Sequence, residues 1–154
     1  MTPERVVIVP CSGIGKSYGT VSREAAYELV EELRPGQTEL VALSLLVMGD
    51  PSARDAVAGV PVMTIDGCKL ACATKMVEES GGEVGRSFAV IDAYRRHREL
   101  KPQGISELNE AGLRLARALA EEMAREVDAA TNTPASAHAL AHSDARPAEK
   151  ESHA

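Results

Sequence analysis

Two short stretches of this chain hold the residue types that could do chemistry. The first, "PCSGIGKS", sets Cys11 inside a glycine-rich turn that ends in Gly15-Lys16-Ser17. The second, "DGCKLAC", sets Asp66, Cys68 and Cys72 close together. A cysteine sulfur can ligate a soft metal or, once ionised, act as a nucleophile. A glycine-lysine-serine turn between a strand and a helix can instead hold a phosphate on its backbone N–H groups.

The phosphate chemistries fit poorly. A Walker A loop reads G-x-x-x-x-G-K-[ST], and Pro10 stands where its first glycine belongs, which removes an N–H and fixes φ. As a dinucleotide fingerprint, Gly13-x-Gly15-x-x-x-Gly19 is a loosened variant, and the second strand, which should end in an acidic residue, ends in "LSLLVMG" with Asp50 arriving late. A cysteine phosphatase loop needs an arginine six positions after the cysteine. Here Ser17 fills that place, and the adjacent Lys16 is a point charge that cannot act as a bidentate fork. Gly13, Gly15, Lys16 and Ser17 are the residues a phosphate or nucleotide would use, in the weakest of three readings.

The thiols fit better. The chain has three cysteines, an odd number that cannot all pair within one molecule. Cys11 follows the first apolar strand and Cys68 the third. If those strands are parallel neighbours, both cysteines project from the carboxyl edge of the sheet, where α/β proteins bind ligands. Cys68 and Cys72 are four apart, and at the start of a helix this spacing puts both sulfurs on one face. Three convergent thiolates suit zinc, at about 2.3 Å from sulfur to metal. Helix N-termini, with Lys16 and Lys69, would favour the ionised sulfurs. Asp66, Asp92, His97 or a water could complete a tetrahedron. Asp66 as a turn residue and Asp92 as a helix N-cap are the plainer roles for those two.

The elements that must position these residues alternate. Arg5 to Pro10 is a continuous apolar run of the kind buried in a parallel sheet. A helix is expected from about Thr20, with Val21, Ala25, Leu29 and Leu33 on one face, ended by Pro35-Gly36. Thr38 to Val47 reads as a second strand, Pro51 opens a short helix, and Val60 to Ile65 is a third strand. A helix from near Cys68 to Glu79 should bury Leu70, Ala73 and Val77. Ser87 to Ile91 reads as a fourth strand, and a long helix from Ser106 carries Leu108, Leu115, Leu119, Met123 and Val127 on a stripe. This pattern predicts a three-layer α/β fold, with a mostly parallel sheet of about four strands and flanking helices, Rossmann-like or flavodoxin-like. Residues 1–130 form one domain in this reading. Residues 131–154, rich in Ala, Ser, Pro and His, read as a disordered tail; its His138 and His142 make at most a weak accessory metal site.

Composition narrows the partners. A net charge of −6 leaves no basic excess for nucleic acid. Arg95-Arg96-His97-Arg98 reads as a solvated helix end. No apolar run reaches the roughly 18 residues of a membrane span, and the N-terminus leads straight into a strand, so a cytoplasmic protein is expected.

The segment "VMTIDGCKLACATKMVEESG", with the upstream "VPCSGIGKSYGTVSREAAYELVEEL", resembles the DGC-domain family, named for the Asp-Gly-Cys that stands here as Asp66-Gly67-Cys68. The likeness spans roughly residues 5 to 127. It implies a small α/β domain whose cysteines chelate zinc, and it implies no particular reaction. The family pattern carries four chelating cysteines and this chain has three, which favours an open or mixed-ligand site over a closed Cys₄ one. The leading expectation is therefore a cytoplasmic zinc-binding protein with Cys11, Cys68, Cys72 and Asp66 at the metal. The alternative is a thiol-dependent enzyme using the same cysteines in sulfur or alkyl-group transfer or a redox relay, on a small molecule or a protein thiol.

Overall fold

A computed structural model describes residues 5–13 and 15–132. Four parallel strands form one sheet: β1 (Val6–Pro10), β2 (Thr38–Leu40), β3 (Val62–Asp66) and β4 (Val84–Ala89), in the order β2-β1-β3-β4. The two central strands, β1 and β3, are buried along their whole length, as their continuous apolar runs require.

Strand alternation sorts the core into two layers. Val6, Ile8, Met63 and Ile65 pack against α1 (Ser17–Tyr27), α5 (Val90–Arg96) and α6 (Glu110–Asn132). Val7, Val9, Cys11 and Val62 pack on the other face, against α2 (Leu43–Met48), α3 (Pro51–Val57) and α4 (Cys72–Glu79). The fold is thus three-layered α/β. The chain leaves β1 toward one edge of the sheet and leaves β3 toward the other. Their carboxyl ends therefore flank the switch point where such sheets hold ligands.

Several boundaries differ from expectation. The first helix starts at Ser17, and its last turns widen into a π-helix over Glu28–Leu33. There the Arg34 guanidinium holds Asp128 of α6 through two hydrogen bonds, of 2.7 and 2.8 Å. The second strand ends at Leu40, well short of Val47. The segment "LSLLVM" has no period-two alternation; its buried residues, Leu43 and Leu46, are three apart, so it winds into α2 until Gly49, with φ of 74°, stops it. The fourth strand begins at Val84, and Val90 and Ile91 belong to α5. The long helix starts at Glu110, because Asn109 accepts the Gly112 N–H at 2.8 Å and supplies the cap expected of Ser106. Its stripe of Leu115, Leu119, Met123 and Val127 is fully buried, while Leu108 packs on the same core from the preceding loop. Helix α6 runs to Asn132, past the expected boundary at 131; the rest of the expected tail, with its histidines, lies outside the described residues. Among the described residues no helix is long and apolar enough to cross a membrane.

Candidate functional site

The loop after β1 is folded tightly onto the start of α1. Cys11 extends the sheet by one rung, its N–H donating to the Ile65 carbonyl at 2.7 Å. Its side chain points into the core with Val9, Leu43, Leu46 and Ala73, and only 8% of the residue is exposed. The Ser22 hydroxyl sits between the carbonyls of Cys11 and Gly19, at 2.8 and 2.6 Å, and the Arg23 guanidinium donates to the Ser12 carbonyl. Gly13 has φ of 48°, and a Cβ there would lie 2.1 Å from the Gly19 Cα. A Cβ on Gly67 would lie 3.2 Å from the Gly19 nitrogen. Gly13 and Gly19, with the distant Gly67, thus let the β1 and β3 loops meet over the first turn of α1.

Lys16 occupies the cap position of α1 in an extended conformation and is exposed, with Ser17 as the first helical residue. The helix has no side-chain cap and no acidic residue in its first turn, so its N-terminal dipole is not neutralised locally. Gly15, with φ of 83°, has open space around its Cα. The phosphate reading retains this anion-favouring turn and lacks the N–H that Pro10 removes.

The loop after β3 is organised by Asp66. This carboxylate is 5% exposed; Oδ1 accepts the Ala73 N–H at 2.8 Å and Oδ2 accepts the Thr74 hydroxyl at 2.6 Å. The Thr74 hydroxyl gives its one proton to Asp66, so the buried Thr64 must donate in the 2.7 Å contact between the two threonines. Asp66 is therefore the cap of α4, delivered from the end of β3. The residue at the cap position itself, Ala71, is left-handed at φ of 52° and has no side chain able to cap.

This capping moves the start of the helix. Cys68 lies in a turn closed by the Ala71 N–H on the Cys68 carbonyl at 3.2 Å, and Cys72 is the first residue of α4. The two cysteines do not share a helical face, because the helix does not extend back to Cys68. Leu70, expected in the core, is 62% exposed in the same turn. The three thiols occupy three environments: Cys11 is buried, Cys68 half-buried and Cys72 exposed, and all are free.

Cys68 lines a cavity of about 240 Å³ between the carboxyl ends of β3 and β4 and the first turns of α4 and α5. Asp66, Lys69 and Thr74 contribute from the β3 side, Ser87 from β4, and Asp92 and Arg95 from α5. Asp92 lies in the first turn of α5 but does not cap it; its carboxylate accepts from Arg95 at 3.1 Å. His97 ends α5 and stands 3.8 Å from Glu99, outside this lining. Sequence reasoning missed Ser87 and Arg95 as site residues. The signal available was their position at or just beyond the carboxyl end of a fourth parallel strand.

Zinc can be tested against these residues. Three thiols and a carboxylate are a suitable donor set, but the arrangement does not fit. Among the described residues, no three His, Cys, Asp or Glu side chains are placed to share a metal ion, and both Asp66 oxygens already hold α4.

Fold and site together define a three-layer α/β domain with cysteines at the carboxyl edge of its four-stranded parallel sheet. The DGC domain model matches residues 7–112, which span both cysteine loops, and the chain belongs to the DGC-domain family. Neither a curated protein nor a solved structure matches it.

Proposed function

We propose that this protein works by thiol chemistry at the carboxyl edge of the sheet, with Cys68 as the thiol that meets a small-molecule substrate. The observation that carries this reading is the cavity: of the three cysteines, Cys68 alone lines it. In such a step the Cys68 sulfur bonds to an electrophilic carbon or sulfur of the substrate. The leaving group departs with its bonding pair and the thiol proton passes to solvent. Free thiols suit a reducing compartment, and the cytoplasm is part of the proposal.

Mass-mapped alkylation of the native chain tests it. Cys68 should react with a small neutral reagent, and a Cys68→Ser chain should lose that adduct while Cys72 keeps its own. A Cys68 that stays unmodified until the protein unfolds would sink the reading.

Zinc binding by Cys11, Cys68, Cys72 and Asp66 is the second reading. It is favoured by the glycine contacts that bring the Cys11 and Cys68 loops together over α1. To form such a site the 67–71 turn would have to move, Cys11 to turn out of the core and Asp66 to release α4. Metal analysis of protein purified under reducing conditions separates the two readings. One equivalent of zinc that disappears in Cys68→Ser would favour the metal; the thiol reading expects far less than one equivalent in either protein.

A further inference from the structure

The commitments of the cavity's polar groups point to the kind of ligand it takes. Its two carboxylates are both engaged: Asp66 by the Ala73 N–H and the Thr74 hydroxyl, Asp92 by Arg95. Its donors are largely not. Among the described residues the Lys69 ammonium and the Ser87 hydroxyl have no partner, and Arg95 directs one nitrogen at Asp92 and leaves its other N–H groups free. The Asp92–Arg95 pair is close to neutral as a unit, and Asp66 is 5% exposed with both oxygens occupied, while Lys69 is exposed and unpaired. What the lining offers a ligand beside Cys68 is therefore a set of uncommitted donors, two of them cationic, while its acceptors are taken, although the formal charges of the lining residues cancel.

We infer that the substrate carries one small anionic group, a carboxylate or a phosphate, held by Lys69 and Arg95 with Ser87 donating a third hydrogen bond. The cavity is small, about 240 Å³, and has room for a group of that size beside Cys68. This inference rests on the thiol reading of Cys68 and names the substrate class for it.

Paired alkylation tests it on the intact chain. Iodoacetate and iodoacetamide both form a sulfur–carbon bond and release iodide, and they differ in carrying an anion or a neutral amide. Cys72, exposed on the first turn of α4 and absent from the cavity lining, is the internal reference. The ratio of iodoacetate to iodoacetamide rates should be higher at Cys68 than at Cys72 by about threefold or more, the size expected for one or two partly screened charges. The excess should shrink in Lys69→Gln and Arg95→Gln, whose side chains are exposed, and should fall as salt is raised. Equal ratios at the two cysteines, or an excess indifferent to both substitutions, would overturn the anionic-substrate inference. If Cys68 reacts with neither reagent, the thiol reading itself fails, which is a distinguishable result.

Discussion

Asp66 accepts the backbone N–H of Ala73 at 2.8 Å, seven residues further along the chain, and so caps α4 from the end of β3. One carboxylate thereby ties the strand, the Asp-Gly-Cys turn and the helix into a single unit. Replacing it should loosen all three. Asp66→Ala removes the cap and leaves the Thr74 hydroxyl without its acceptor, a loss of about 1–2 kcal/mol or more for a buried cap. Asp66→Asn keeps an acceptor for Ala73 and should fall between. Urea unfolding of the three proteins checks the order.

The glycines that pack the two loops should rank by what a Cβ meets. Gly13→Ala collides with Gly19 backbone at 2.1 Å in a left-handed conformation, so it should be the most damaging. Gly67→Ala meets backbone at 3.2 Å and should cost less, by pushing the β3 loop away from α1. Gly15→Ala has open space and carries only backbone strain, on the order of 1 kcal/mol. Denaturation midpoints that failed to follow this order would contradict the packing described for Gly19.

The three cysteines should report three levels of opening. Cys72 and Cys68 should alkylate in the native protein, whereas Cys11 should react only when the β1 edge opens. Its rate should rise with denaturant in step with unfolding. A Cys11 that reacted as fast as Cys72 in native buffer would show that the loop is not closed.

The Arg34–Asp128 pair predicts a change on the acid side of the stability profile. The hydrogen bond from Arg34 holds the Asp128 carboxyl below the usual carboxylate range, against a smaller opposing effect of burial. A depressed carboxylate contributes stability above its unfolded pKa and loses it as pH falls through the folded value. Arg34→Gln should therefore lower stability near neutral pH and flatten the decline below about pH 4. Unfolding midpoints across that range measure it.

Nucleotide should leave the melting temperature unmoved. Pro10 takes one N–H from the loop that a Walker A motif would need. A rise with ATP that Lys16→Ala abolishes would restore the phosphate reading.

Much of the fold was legible because its determinants are local. The apolar runs of β1 and β3, the turn glycines and the buried stripe of α6 each declare their element within a few residues. The placement of Cys11 and Cys68 beside the switch point followed from counting parallel strands. The segment after Leu40 was misread because its apolar residues match a strand in composition and a helix in spacing, and only burial at Leu43 and Leu46 decides between them.

The sequence by itself determined an alternating α/β domain, its two cysteine loops and the family to which they belong. The tertiary structure decided where those cysteines went. A helix begins where its first N–H groups find acceptors, and for α4 that acceptor is Asp66, contributed from β3. Spacing alone put Cys68 and Cys72 on one face, and the long-range cap separated them. The cavity is likewise a product of packing, since Ser87 and Arg95 reach Cys68 only after β4 pairs with β3. Periodicity is written within a single element, whereas caps and cavities depend on which groups meet across elements.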